Sequence, residues 1–158
     1  MYSRYVTTAL EDWVTNLYTR MGIVCPEDID EAYISMIFDI YLRYQSIPSC
    51  STLLGDFKVI VIDSRLPIQE QRVQFFHELC HILRHVGNQS MMPDAFRQLL
   101  EWDAIHFTRY AAIPYHMMMK YDYRDPDIIK ILAEDFRVPE QLCWERVEKR
   151  YRLYQLIG

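Results

Sequence analysis

His77 and His81 stand four residues apart, with Glu78 directly after the first, in the run His77-Glu78-Leu79-Cys80-His81. On an α-helix, positions i and i+4 lie one turn apart on one face, so both imidazoles point the same way. Two imidazoles so placed can hold one Zn²⁺, while Glu78 reaches a metal-bound water as general base. The chemistry therefore demands a helix at this point, and one rigid and shielded enough to hold its ligands still.

The flanking residues predict that helix over 67–86. Pro67 suits a first turn, where its missing N–H costs nothing. Val73, Phe76, Leu79, Cys80 and Leu83 recur at helical spacing and mark an apolar stripe. Gly87 and Asn88 then supply a left-handed stop.

A catalytic zinc takes three protein ligands and keeps one position for water. The next predicted helix, over 93–113, offers Glu101, Asp103 and His106. Measured from Glu101, Asp103 lies about 200° around that helix and His106 about 140°, at about 100° per residue, so they cannot all serve. Glu101 shares its face with Ala104, Ile105 and Thr108, and the small Ala104 allows two helices to approach. Glu101 is the favoured third ligand and Asp103 the runner-up. His85 is one turn beyond His81 but drifts about 80° from His77; it reads as a histidine favourable to the helix C-terminus.

These residues resemble the ImmA/IrrE family of metallopeptidases. Members carry the HExxH motif and, downstream, a Glu-x-x-Ala-x-x-Phe segment that ends in a short apolar run and Pro. Glu101, Ala104, Phe107 and Pro114 match those positions, and the wording over 73–88 and on to His116 is nearest the anti-repressor branch of the family. The likeness spans roughly residues 56–139. Thr108 and Ile113 depart from the usual Ala and Met. The resemblance implies a zinc-dependent, site-specific endopeptidase that cuts a helix-turn-helix repressor of a mobile genetic element or prophage and so derepresses its genes. Two alternatives stand beside it: an IrrE-like stress-response metalloprotease or regulator, and a non-enzymatic binding module with a structural metal. A fourth protein ligand from Cys80, His85 or His106 would favour the module.

The remaining chain is consistent with an α+β fold, a minimal zincin. Segments 40–43, 50–54 and 57–62 read as strands, with Gly55-Asp56 as a hairpin turn between the last two. The apolar run Val59 to Ile62 predicts the middle strand of a three-stranded sheet covered by the motif helix. An edge of such a sheet could pair with an extended substrate, and Ile47-Pro48, joining the first two strands, is the expected wall of the cleft. Before the sheet, 5–21 reads as an amphipathic helix with Leu10, Val14 (or Trp13), Leu17 and Met21 on one face. Pro26-Glu27-Asp28 opens a second helix.

After Pro114 the chain reads as mostly helical, with helices over 125–136 and 139–154. Residues 131–140 resemble the helix-turn-helix-like segment found after the zincin core in this family; the plainer account is a pair of helices closing the core. Arg146, Lys149, Arg150 and Arg152 read as a solvated helix face, and Met117-Met118-Met119 as helical packing. Tyr115 and His116, just past Pro114, are candidates to stabilise the oxyanion of a cleaved amide, as is Asp103 for a supporting role behind the metal.

With 158 residues, 51% of them apolar, the chain can bury a substantial core as one domain, about 1–114 for the metal-binding part and 115–158 for a helical subdomain. No apolar run reaches membrane-spanning length and Met1-Tyr2-Ser3-Arg4 opens no signal segment, so a cytoplasmic protein is expected. The four cysteines, Cys25, Cys50, Cys80 and Cys143, form no C-x-x-C pair and read as reduced thiols. A net charge of −5 argues against direct nucleic-acid binding and for a partner presenting positive charge.

Overall fold

A computed structural model describes residues 5–85 and 91–155, with side chains described through Glu148. The fold is α+β, and its residues group into two compact units: Asp30–Thr108, and 1–29 together with 109–158. The N-terminal helix groups with the C-terminal helices in the second of these. Gly87 and Asn88, expected to stop the motif helix, lie outside the described residues.

In the unit Asp30–Thr108, helix α2 (Glu31–Ile37) starts at Asp30, whose carboxylate accepts from the Tyr33 N–H at 2.7 Å. Strands β1 (Ile40–Gln45), β2 (Cys50–Leu54) and β3 (Phe57–Asp63) follow, in the order β1-β3-β2. β3 is central, parallel to β1 and antiparallel to β2. Leu54 pairs with Phe57 across a two-residue turn, and Gly55 adopts φ +60° at its first position, where a side chain would be strained. The run Val59 to Ile62 is not enclosed on both faces: Ile60 and Ile62 are fully buried, whereas Val59 and Val61 are half-buried. A strand alternates sides at every residue, and the motif helix packs against only one of them.

α3 (Ile68–Arg84) begins one residue after Pro67 and ends at His85. Its buried set differs from the predicted stripe. Phe75, Phe76, Leu79 and Cys80 are fully enclosed, while Val73 and Leu83 are half-buried. Each large apolar side chain so enclosed contributes roughly 1.5–3 kcal/mol. Arg72 is buried as well, paired through Nε (2.8 Å) and a terminal nitrogen (3.1 Å) with the two carboxylate oxygens of Glu31. That fork ties α3 to α2. The link between β1 and β2, with Ile47-Pro48 in it, runs past the end of β3: Ser49 Oγ accepts from the Asp63 N–H at 2.9 Å. α4 (Asp94–Ala112) completes this unit with its first turns.

The second unit holds α1 (Ala9–Arg20), α5 (Tyr115–Met118), α6 (Ile128–Phe136) and α7 (Glu140–Gln155). Thr8 and Glu11 form a reciprocal capping box at the start of α1. The buried face of α1 is Glu11, Val14 and Tyr18, with Leu10, Leu17 and Met21 only half-buried, because the Tyr18 hydroxyl reaches the Ala111 carbonyl at 2.8 Å. Pro26–Asp28 form a single 3₁₀ turn instead of opening a longer helix. α6 ends at Arg137 in the left-handed region (φ 53°), and the Val138 N–H returns to the Ala133 carbonyl. α6 packs against α7 across this short turn.

The basic run in α7 needs correction at Arg146, which is 3% exposed. Its Nε donates to the Ile113 carbonyl at 2.8 Å, and its side chain pairs with Glu11. The side chains of Lys149, Arg150 and Arg152 lie outside the described residues. No helix among the described residues is long and apolar enough to cross a membrane.

Candidate metal centre

The sequence places His77, His81 and Glu101 on two separate helices, and in the structure their ligand atoms converge. His77 Nε2 and His81 Nε2 are 3.3 Å apart. Glu101 Oε2 lies 3.0 Å from His77 Nε2, and its Oε1 lies 3.1 Å from His81 Nε2. Donors at about 2.0–2.2 Å from a tetrahedral ion stand roughly 3.2–3.6 Å from one another; the His77–His81 separation falls in that range and the two Glu101 contacts lie just below it, so a small divalent ion would need only a slight widening. Ala104, 0% exposed one turn from Glu101, presents only a methyl where α4 is buried. Burial holds the His81 imidazole below its ordinary pKa, against the raising influence of Glu101, which favours the neutral ring a metal requires.

Asp103 takes no part in that triangle. It turns to a second cluster with Cys80 and His85. His85 Nε2 is 2.8 Å from Asp103 Oδ2, and the Arg84 guanidinium donates to the same carboxylate through Nε at 3.0 Å. Burial works against ionisation of Asp103, yet the hydrogen bonds from Arg84 and His85 outweigh it and lower its pKa. The Cys80 thiol lies 3.6 Å from Asp103 Oδ2, and burial pushes its pKa well up. His85 is therefore more than a histidine at the helix end: its Nδ1 lies 2.9 Å from His81 Nδ1. His106 is exposed. Among the described residues, the cluster of His77, His81 and Glu101 has three donors.

Glu78 sits beside the triangle, 8% exposed on the face of α3 toward the sheet. Burial raises its pKa, while a side-chain hydrogen bond from Ser51 and the neighbouring His77 pull the other way. Ser51 is on the edge strand β2, opposite Ile60. Sequence reasoning missed it, because nothing local to Cys50–Leu54 distinguishes one hydroxyl in a short strand.

Tyr115 and His116 belong to the other unit. The Tyr115 ring stacks on Tyr5 with centroids 5.5 Å apart, and His116 Nε2 is 3.0 Å from the Ile23 carbonyl.

Residues 36–148 match the family model of Peptidase M78, the IrrE N-terminal-like domain. The chain belongs to that family. This M78 member is thereby a metallopeptidase by family, and the family implies a metal. It is 33% identical to the uncharacterized protein YqaB of Bacillus subtilis (strain 168) over 151 residues, which cover 94% of this chain and 88% of the relative. It is 31% identical over 141 residues to the phage-like element PBSX protein XkdA of the same strain, covering 88% of this chain and 71% of that relative. No solved structure matches this M78 chain.

Proposed function

We propose that this M78 peptidase is a zinc-dependent endopeptidase with His77, His81 and Glu101 as metal ligands and Glu78 as general base. The observation that carries the proposal is the convergence of three metal-type donors from two helices with a buried carboxylate beside them. Three protein donors leave a position for water, as a catalytic zinc requires. A bound Zn²⁺ would polarise the scissile carbonyl and make water acidic enough to attack near neutral pH.

Glu78 takes the proton of the attacking water and returns it to the leaving amine. Ser51 steadies that carboxylate from β2. Because β2 is an edge strand that touches the base, it is the strand to which an extended substrate would add, with its backbone groups available for pairing.

The substrate proposed is a helix-turn-helix repressor of a mobile element or prophage. The family resemblance and the phage-like element origin of the XkdA relative support this reading. An acidic chain suits a DNA-binding, positively charged partner. The test is incubation with helix-turn-helix repressors of mobile elements or prophages, with and without chelator, followed by mass analysis. Discrete, chelator-sensitive fragments are expected; intact repressor under zinc-loaded conditions would refute the assignment.

A further inference from the structure

Behind the metal centre the side chains form a hydrogen-bond chain that runs in one direction. Asp103 receives Arg84 at 3.0 and 3.3 Å and His85 Nε2 at 2.8 Å, and a carboxylate can only accept these bonds. A neutral imidazole has a single N–H. In the neutral form, His85 directs its one N–H from Nε2 to Asp103 at 2.8 Å, which leaves Nδ1 as an acceptor. The 2.9 Å contact between the two Nδ1 atoms is then satisfied by a proton on His81 Nδ1. With its proton on Nδ1, His81 has a bare lone pair on Nε2, the atom that faces His77 and Glu101.

From this geometry we infer that His85 is a positioning residue: anchored by Asp103, it sets the tautomer and ring orientation that present His81 Nε2 to the metal. The inference rests on the metal-ligand role proposed above for His77, His81 and Glu101. His85 is 9% exposed, so little water competes for its Nδ1. Cys80, His85 and Asp103 also converge as donors, but they do not make a second ion site. The His85–Asp103 contact of 2.8 Å is a hydrogen bond, and the Arg84 guanidinium already pairs with the same carboxylate, so a second cation there would be repelled.

The experiment measures Zn²⁺ affinity by chelator competition and the ligand-field bands of the Co²⁺-loaded protein. His85→Ala should weaken Zn²⁺ binding by about 10–100-fold and alter the Co²⁺ bands. His85→Gln, whose amide oxygen can accept from His81 while its NH₂ donates to Asp103, should recover most of the affinity. Asp103→Asn, nearly isosteric at a partly exposed position, should weaken binding in the same direction, and it decides the matter if His85→Ala does not fold. Wild-type affinity and bands in the folded variants would overturn the proposal. So would a loss in His85→Ala that His85→Gln does not reverse, because the ring would then serve only to pack. A wild-type protein that binds neither metal would instead remove the underlying metal-centre reading.

Discussion

Arg146 and Glu11 meet at 2.8 Å with both side chains 1% exposed, joining the last helix of the chain to the capping residue of the first. The Tyr5 hydroxyl donates to the same Glu11 oxygen at 2.7 Å, and Arg146 lies over the Tyr110 ring at 4.8 Å. A buried charge left without its partner is costly. Arg146→Met should therefore destabilise the protein by about 3–5 kcal/mol, read from the denaturant midpoint. Glu11→Gln combined with Arg146→Met should cost less than the sum of the two single changes. Additive effects would show that the pair does not couple.

Glu78→Gln should retain Zn²⁺ stoichiometry while lowering the rate of peptide cleavage by about 10²–10⁴-fold. Metal analysis and a cleavage assay on the same preparation separate the two effects. Undiminished cleavage would remove Glu78 from the role of base.

Zinc should stabilise the folded chain by mass action. At a free concentration one hundred times its dissociation constant, the gain is about 2.7 kcal/mol, or roughly 5–10 °C in the melting midpoint for a chain of this size. His81→Ala and Glu101→Ala should abolish most of that shift, measured by thermal melting with and without metal. Asp103→Asn should retain a reduced shift, because Asp103 lies outside the triangle.

The four thiols should differ in reactivity. Cys50 is exposed on the edge strand, whereas Cys80 and Cys143 are fully buried. Brief alkylation of the native protein near neutral pH should modify Cys50 and leave Cys80 and Cys143 intact until the chain is unfolded, as read by peptide mass. Early modification of Cys143 would contradict its placement in α7.

Stability should fall at alkaline pH. Burial, with Glu140 adding to it, raises the Cys143 thiol from 9.0 to about 12. Below pH 9 the thiol is protonated in both states and contributes no pH dependence. Between 9 and 12 the unfolded chain ionises first, so the folded state loses about 1.4 kcal/mol per pH unit from this group. Tyr5, raised by burial to about 12, adds a smaller loss above pH 10, because its half-exposed ring is partly screened by solvent. Cys143→Ala should flatten the slope between pH 9 and 10, measured by denaturant unfolding.

The parts of the site that are local to one helix were legible in the residues. The spacing of His77 and His81 needs only helical geometry, and the angular argument on α4 separates Glu101 from Asp103 in the way their contacts do. The central position of β3 also follows from its apolar run, and the hairpin from Gly55. His85 was half visible. Its drift from His77 excludes it from the metal face, yet the same i,i+4 spacing puts it against the other nitrogen of His81.

What no local pattern contains is which distant group a side chain meets. The Ser51 hydroxyl finds Glu78 only through strand register and the packing of α3 on the sheet. Arg146 looks like one more solvated cation until the fold closes Glu11, Tyr5 and the Ile113 carbonyl around it. Periodicity and capping act over a few residues and are written in the chain itself. Burial and pairing between segments far apart in sequence depend on the assembled fold, and that assembly decides how the proposed metal ligands are supported.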